Sequence, residues 1–110
     1  MRYFVTGGAG FIGSALIRKL ILNKKNIILN YDNLTYSSNL NNLKNISKSK
    51  RYCFVKGDIN DKEKLYSSIF DYEPDIIMNL AAETHVDRSI AKADKFIQTN
   101  ICGTYNLLNI

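Results

Sequence analysis

Short apolar runs alternate along the chain with longer segments in which apolar residues recur every three or four positions. The short runs lie at residues 2–6, 27–31, 51–56 and 75–80. They are rich in apolar residues almost throughout, which is typical of parallel strands that helices cover on both faces. The periodic segments lie at residues 11–23, 61–72 and from 91 past 108, and their spacing predicts helices.

The order of these elements predicts an α/β fold. Between the second and third strands, residues 33–49 are polar and predict a loop with a short helical turn at 40–45. The order is then strand, helix, strand, loop, strand, helix, strand, helix. With right-handed crossovers, this order predicts a doubly wound parallel sheet with strand order 3-2-1-4 and helices on both faces.

A glycine-rich turn joins the first strand to the first helix. It has the spacing Gly-x-x-Gly-x-x-Gly, formed by Gly7, Gly10 and Gly13. We expect Gly7 to allow the tight turn, Gly10 to let a pyrophosphate approach the backbone, and Gly13 to bring the helix close to the sheet. The N–H groups and the positive dipole end of the helix would face the phosphates. The pattern predicts a dinucleotide site, and the alternative is a tight turn without a ligand.

Two acids follow strands at the same edge of the predicted sheet. Asp32 ends the second strand, about twenty residues beyond the last glycine, where it would accept hydrogen bonds from the adenosine ribose and repel a 2′-phosphate. This position favours NAD over NADP, and the alternative is an aspartate that caps a loop. Asp58 would accept from the adenine amino group while Ile59 packs on the ring. The alternative there is that Asp58 or Asn60 caps the next helix.

Composition limits the remaining classes of function. With 110 residues, of which 45% are hydrophobic, the chain has room for one small domain. The formal charge is +5, but no strip of basic and aromatic residues predicts a nucleic-acid partner. Cys53 and Cys102 lie in apolar patterns and predict buried free thiols in a reducing compartment. One histidine and no close cysteine pair predict no metal site. No signal peptide or membrane-length apolar run is present, so we expect a cytoplasmic protein.

Two motifs resemble a known enzyme family. Residues 6–14 resemble the opening of the extended short-chain dehydrogenase/reductases that act on nucleotide sugars. The segment 79–90 is more specific and resembles the dTDP-glucose 4,6-dehydratases, which usually carry Ser at the position of Thr84 and often His at that of Asn79. Residues 32–36 and 96–104 fit the same family, and the resemblance covers the whole chain.

The resemblance implies a Rossmann-like fold, bound NAD, a nucleotide-sugar substrate and a homodimer. Phe11 and Ile12 would offer backbone groups to the pyrophosphate, and Thr84 would also touch the sugar nucleotide. The cofactor-binding residues that it implies, together with those of the turn, are Gly7, Gly10, Phe11, Ile12, Gly13, Asp32, Asn33, Leu34, Thr35, Asp58, Ile59, Leu80, Ala81, Ala82, Glu83, Thr84 and Thr99. Residues 32–35 would surround the ribose, residues 80–84 would line the nicotinamide side, and Thr99 would complete the pocket.

The reaction that the resemblance implies is an internal redox cycle, an early step of deoxysugar synthesis such as that of rhamnose. NAD takes a hydride from sugar C4, water leaves across C5 and C6, and the hydride returns to C6. This chemistry requires a Tyr-Lys pair on one helical face and carboxylates. Tyr52 and Lys56 match the spacing of that pair but lie in a predicted strand. We therefore assign no catalytic residue within residues 1–110, and His85, Asp87 and Arg88 are interpreted as structural loop residues.

The ending of the pattern adds one expectation. The last helical segment has no stop signal, and the strand at 75–80 would be an exposed apolar edge, which natural proteins avoid. We therefore expect residues 1–110 to be the N-terminal part of an NAD-binding domain, without its remainder or its substrate domain. The alternatives to a dTDP-glucose 4,6-dehydratase are a UDP-glucose 4,6-dehydratase, a nucleotide-sugar 4-epimerase and a non-catalytic dinucleotide-binding domain. A basic nucleic-acid binder is disfavoured by Asp32 and Asp58 at the ligand edge.

Overall fold

The computed structural model of the chain describes residues 1–34, 39–81 and 98–110. Its centre is a parallel sheet of four strands. In chain order these are β1 (Arg2–Thr6), β2 (Ile27–Asp32), β3 (Tyr52–Lys56) and β4 (Ile76–Asn79). Their order across the sheet is β3-β2-β1-β4, which confirms the predicted topology. All four strands are parallel, with β2 and β3 on one side of β1 and β4 on the other. The strand order therefore reverses at β1, and ligands of open α/β sheets bind beside such a point.

Each face of the sheet carries one hydrophobic cluster. On one face, Val5 and Ile28 pack with Ile17 and Ile21 of α1 (Phe11–Leu20) and with Leu43 of a 3-10 helix (Leu40–Leu43). On the other face, the cluster combines strand residues with α2 (Lys62–Tyr72) and with the last helix, α3 (Thr104–Leu108). Its buried members are Phe4, Leu29, Tyr31, Ile59, Leu65, Ile69 and Leu107. The predicted covering of both faces is confirmed.

The first helix is shorter than its apolar pattern predicts. It ends at Leu20 rather than at residue 23, and the backbone then closes tighter turns, with the N–H of Asn23 donating to the carbonyl of Leu20 at 3.3 Å. The guanidinium of Arg51 donates to the carbonyls of Ile21, Asn23 and Asn26 at 3.0–3.1 Å. Ile21 is the C-cap of α1, so one of these bonds satisfies a carbonyl at the helix end, and the others fix the turn that follows it.

The second helix begins at a different cap from either alternative considered. Asp61 is the N-cap, and its side chain accepts from the N–H of Lys64 at 3.2 Å. Asp58 instead accepts from the N–H of Asn60 at 2.9 Å, so neither of these two residues caps α2. At the other end, Glu73 adopts a left-handed conformation with φ 53°, ahead of Pro74, which confirms the predicted stop.

The expectation that both cysteines are buried is wrong. Cys53 and Cys102 are free thiols, as predicted, but both are exposed. Cys53 lies on β3, which has a neighbouring strand on one side only, and Cys102 lies in a π-helical segment (Gln98–Gly103). An apolar neighbourhood in sequence does not reveal that a strand lies at the edge of its sheet.

The predicted last helix is only partly α-helical. Its residues 91–97 lie outside the described residues, and Gln98–Gly103 is π-helical before α3 begins. That helix ends at Leu108, where Asn109 is its C-cap, so the expectation of a helix running to the end of the chain is wrong for the last two residues. In the described part of the chain no helix is both long and apolar enough to cross a membrane. In the same part, no three metal-binding side chains come together.

Candidate dinucleotide site

The turn between β1 and α1, residues 7–13, is the centre of the candidate site, and we call it the glycine-rich turn. Gly7 has φ 70°, in the left-handed region, and its N–H donates to the carbonyl of Tyr31 at 3.0 Å. A Cβ at this position would lie 2.5 Å from the carbonyl carbon of Leu80 and 2.6 Å from the nitrogen of Ala81. Only glycine therefore fits, and the end of β4 lies directly against the turn.

Close packing also fixes the start of α1. A Cβ at Gly13 would meet the carbonyl oxygen of Gly7 and the Cα of Gly8, so the first helical turn packs against the glycine-rich turn itself. Gly8, which the sequence reasoning did not single out, lies against the side chains of Asn30 and Ile17. No sequence signal identified Gly8, because its constraint comes from β2 and α1.

The N-terminus of α1 is open. Its N-cap is Gly10, which offers no side-chain cap, and the first turn contains no acid. Within the described ranges no acceptor meets the backbone N–H groups of Phe11, Ile12 and Gly13. The side chains of Phe11 and Ile12 are 88% and 70% exposed. Unpaired N–H groups at the positive end of a helix dipole are suited to an anion such as a pyrophosphate.

Asp32 connects the end of β2 to the glycine-rich turn. Its carboxylate accepts from the N–H of Ala9 at 2.9 Å and from that of Leu34 at 2.7 Å, and the residue is 4% exposed. The carboxylate thus caps its own loop, as the alternative interpretation predicts, and it also contacts the glycine-rich turn, while contact with a ribose stays a prediction. It is also the only acid among residues 1–57 of the sequence.

The ends of β2 and β3 come together beside Asp32. The side-chain amide of Asn33 donates to the carboxylate of Asp58 at 3.5 Å, and the hydroxyl of Tyr31 donates to the carbonyl of Asp58 at 3.1 Å. Asn33 is exposed, and Leu34 has a left-handed backbone with φ 56°. Asp58 therefore lies at the same edge as Asn33, as the sequence predicts.

Ile59 differs from its expected role. Its side chain is 3% exposed and lies in the cluster under α2. The amide of Asn106 from α3 donates to its carbonyl at 3.0 Å. The prediction that this side chain packs on an adenine ring is therefore wrong, because Leu65, Ile69 and the core already surround it. Only its backbone remains a candidate for contact with a ligand.

The end of β4 is fixed by Thr6, a buried residue that the sequence reasoning did not assign to the site. The N–H of Leu80 donates to the Thr6 carbonyl at 3.0 Å and to its Oγ1 at 3.1 Å, and the N–H of Ala81 donates to the same Oγ1 at 3.3 Å. The Thr6 hydroxyl in turn donates to Oδ1 of Asn79. The register of the sheet pairs Thr6 with Asn79, which explains why these side chains meet.

Tyr52 and Lys56 lie in β3, which confirms that they are not a helical Tyr-Lys pair. The hydroxyl of Tyr52 accepts from the side-chain amide of Asn30 at 3.1 Å, and burial raises the pKa of this phenol. A raised pKa opposes formation of the phenolate that a proton acceptor requires. Tyr52 therefore has a structural role in the edge strand β3, where it packs against the hydrophobic cluster under α1.

Several predicted residues lie outside the described residues. These are Thr35, Ala82, Glu83, Thr84, His85, Asp87 and Arg88. Thr99 lies in the π-helical segment Gln98–Gly103. The structure thus brings together Gly7, Gly10, Gly13, Asp32, Leu80 and Ala81 around the glycine-rich turn, with Asn33 and Asp58 beside Asp32.

Comparison with known proteins gives the family. The family model described as GDP-mannose 4,6 dehydratase matches residues 4–110. The chain belongs to this family. Over 107 residues it is 51% identical to a dTDP-glucose 4,6-dehydratase of Neisseria meningitidis, and this alignment covers 97% of this chain and 30% of that relative. A dTDP-glucose 4,6-dehydratase of Salmonella typhimurium is 50% identical over 110 residues, again 30% of its length. The chain therefore spans less than a third of the length of these curated relatives.

Solved structures of a dehydratase and of an epimerase share the fold. A dTDP-glucose 4,6-dehydratase from Streptomyces venezuelae with NAD bound superposes with a TM-score of 0.91 at 43% identity, covering 99% of this chain and 35% of that chain. A UDP-glucose 4-epimerase from Thermotoga maritima, with UDP-glucose, gives a TM-score of 0.87 at 34% identity and covers 99% and 33%. The Rossmann-type sheet is thus common to dehydratases and epimerases, and the fold alone does not separate the two activities.

Proposed function

We propose that this chain is the NAD-binding part of a nucleotide-sugar 4,6-dehydratase that acts on dTDP-glucose. The observation that carries the dinucleotide site is the uncapped N-terminus of α1 above a turn in which Gly7 and Gly13 have no room for a side chain. The substrate class rests on the 50–51% identity to dTDP-glucose 4,6-dehydratases across the chain.

Each part of NAD has candidate partners in this chain. The N–H groups of Phe11 and Ile12 would bind the pyrophosphate at the start of α1. Asp32 would accept from the ribose hydroxyls, with Asn33, Leu34 and Thr35 around it, and Asp58 with the backbone of Ile59 would face the adenine. The nicotinamide side would be lined by Leu80, Ala81, Ala82, Glu83, Thr84 and Thr99, with Thr84 also touching the sugar nucleotide.

The fit of NAD to these residues is supported by charge and shape. An anion at the helix start would meet unpaired donors, and the carboxylate of Asp32 is turned to the N–H groups of Ala9 and Leu34. Bound NAD supplies a reversible hydride acceptor for the sugar. The described residues bind and orient this cofactor, and we assign proton transfer to none of them.

Assembly and location complete the proposal. Ile101, Tyr105 and Leu108 lie three or four residues apart and are 61%, 60% and 82% exposed. An apolar stripe of this kind supports a homodimer formed through the last helix. The free thiols of Cys53 and Cys102 support a reducing compartment, and hence the cytoplasm.

The test uses the natural protein at its full length. The purified protein is incubated with dTDP-glucose or, separately, with UDP-glucose, and no NAD is added. The masses of the products are measured by mass spectrometry. Loss of one water molecule from dTDP-glucose is expected. A product of unchanged mass with inverted C4 would establish an epimerase instead, and bound NAD with no reaction would leave a non-catalytic dinucleotide-binding protein.

A further inference from the structure

Asn79, at the end of β4, is the middle of a chain of hydrogen bonds that joins three elements. Its Oδ1 accepts from the hydroxyl of Thr6 in β1. Its Nδ2 donates at 3.2 Å to Oγ1 of Thr104, at the start of α3, and that hydroxyl donates to the carbonyl of Asn100 at 3.0 Å. We call these residues, Thr6, Asn79, Thr104 and Asn100, the Asn79 network.

The direction of every bond in the Asn79 network is fixed. The Oγ1 of Thr6 accepts from the N–H groups of Leu80 and Ala81, so its own hydrogen is available to Asn79. Because a carbonyl oxygen can only accept, that bond turns the Asn79 amide nitrogen toward Thr104. A side chain with one acceptor and one donor in a fixed plane therefore matches this position, whereas an apolar side chain of the same size would leave both hydroxyls without this partner.

The network acts on the backbone that closes the dinucleotide site. Leu80 and Ala81 lie against Gly7, where a Cβ would come within 2.5–2.6 Å of their backbone atoms. A shift of this strand end therefore changes the space around the glycine-rich turn. At its other end, the network reaches Asn100 in the π-helical segment that also contains Thr99. Short π-helical segments are frequent at functional sites.

We propose that Asn79 is a positioning residue for the dinucleotide site. Through Thr6 it fixes the Leu80–Ala81 backbone against Gly7, and through Thr104 it ties that backbone to the π-helical segment. Asn79 itself has no contact with the cofactor in this proposal. The inference rests on the proposed function, since the ligand whose site is positioned is NAD.

The experiment compares variants of the full-length protein in NAD affinity and in amide hydrogen exchange. Asn79→Leu and Thr104→Val remove the bonds with little change of shape, whereas Thr104→Ser keeps the hydroxyl. Each of the first two removes the bond between Asn79 and Thr104 together with one other bond of the network. Each is therefore expected to weaken NAD binding by at least about fivefold, the effect of one hydrogen bond, and the Ser variant is expected to bind like the parent. The double variant should bind NAD no more weakly than the weaker-binding of the two single variants, because each single change already breaks the connection between Thr6 and Asn100. The control is Asn45→Ala, an exposed asparagine near the 3-10 helix, and it should change nothing.

Hydrogen exchange separates this proposal from the proposed function. The N–H groups of Leu80 and Ala81 should exchange faster in Asn79→Leu than in the parent, with or without NAD. Unchanged exchange, or NAD affinities of Asn79→Leu and Thr104→Val equal to that of the parent, would overturn the positioning role. Additive losses in the double variant would overturn the single link. A parent protein that binds no NAD, but shows the faster exchange in the variant, would overturn the proposed function and leave the network as a structural feature only.

Discussion

Asp32→Asn tests whether the buried carboxylate holds the glycine-rich turn in its binding conformation. In the parent, its two oxygens accept from the N–H groups of Ala9 and Leu34 at 2.9 and 2.7 Å, with the residue 4% exposed. An asparagine amide offers one acceptor oxygen and one NH₂ donor. One of the two backbone N–H groups would therefore face another donor in a buried place.

The magnitude follows from this loss. A hydrogen bond to a charged group contributes about 1.5–3 kcal/mol, and a buried donor left without a partner costs a similar amount. We expect Asp32→Asn to destabilise the conformation of the glycine-rich turn that binds NAD by about 2 kcal/mol, which corresponds to NAD binding that is weaker by about thirtyfold. The ribose would also lose a charged acceptor, so the thirtyfold change is a lower limit.

The assay is a calorimetric titration of the apo form of the full-length protein with NAD. The unfolding midpoint is measured separately by thermal unfolding. Asp71→Asn is the matched control, because Asp71 is an exposed acid on α2 that is far from the turn in sequence. The control should keep both the NAD affinity and the unfolding midpoint. The reasoning fails if Asp32→Asn binds NAD within twofold of the Asp71→Asn protein.

Four further predictions concern the turn, the cofactor, the end of α1 and two tyrosines of the hydrophobic cluster under α2. Gly7→Ala should abolish measurable NAD binding, because its Cβ would overlap the backbone of Leu80 and Ala81; binding by calorimetry checks this, and retained affinity contradicts it. The parent should bind NADP far more weakly than NAD, because a carboxylate repels a 2′-phosphate. Asp32→Asn should therefore bring the two affinities closer together, as titration with each cofactor would show. Arg51→Ala should cost about 2 kcal/mol through three lost carbonyl partners, seen as a lower unfolding midpoint, with Lys48→Ala as the unchanged surface control. Burial raises the pKa of both Tyr31 and Tyr72 to about 12, so the neutral phenols favour the folded state. The free energy of unfolding should therefore be unchanged up to pH 10 and fall as the pH rises from 10 to 12. A free energy of unfolding that stays constant over that range would contradict the burial argument.

The fold was predictable because strong local patterns set it. Four apolar runs separated by two helices allow few arrangements under the right-handed crossover rule, and the order β3-β2-β1-β4 followed directly. Gly7 and Asp32 could be identified for the same reason, since a turn after a strand and an acid at the end of the next strand have fixed places in such a sheet.

What the sequence did not reveal depends on contacts between distant residues. The roles of Thr6 and Asn79 come from the register of β1 against β4, which joins positions 73 residues apart. The burial of Ile59 follows from the packing of α2 and α3 over the sheet, and the exposure of Cys53 follows from the edge position of β3. None of these can be read from spacing along the chain.

The central claim is that the open N-terminus of α1 binds the pyrophosphate of NAD. Hydrogen exchange of the apo full-length protein, measured with and without saturating NAD, tests it most directly. Bound NAD should slow exchange in peptides that contain the N–H groups of Phe11, Ile12 and Gly13, and leave peptides from the exposed face of α2 unchanged. Equal exchange at residues 11–13 in the two states, in a protein that binds NAD, would contradict the claim and place the cofactor elsewhere.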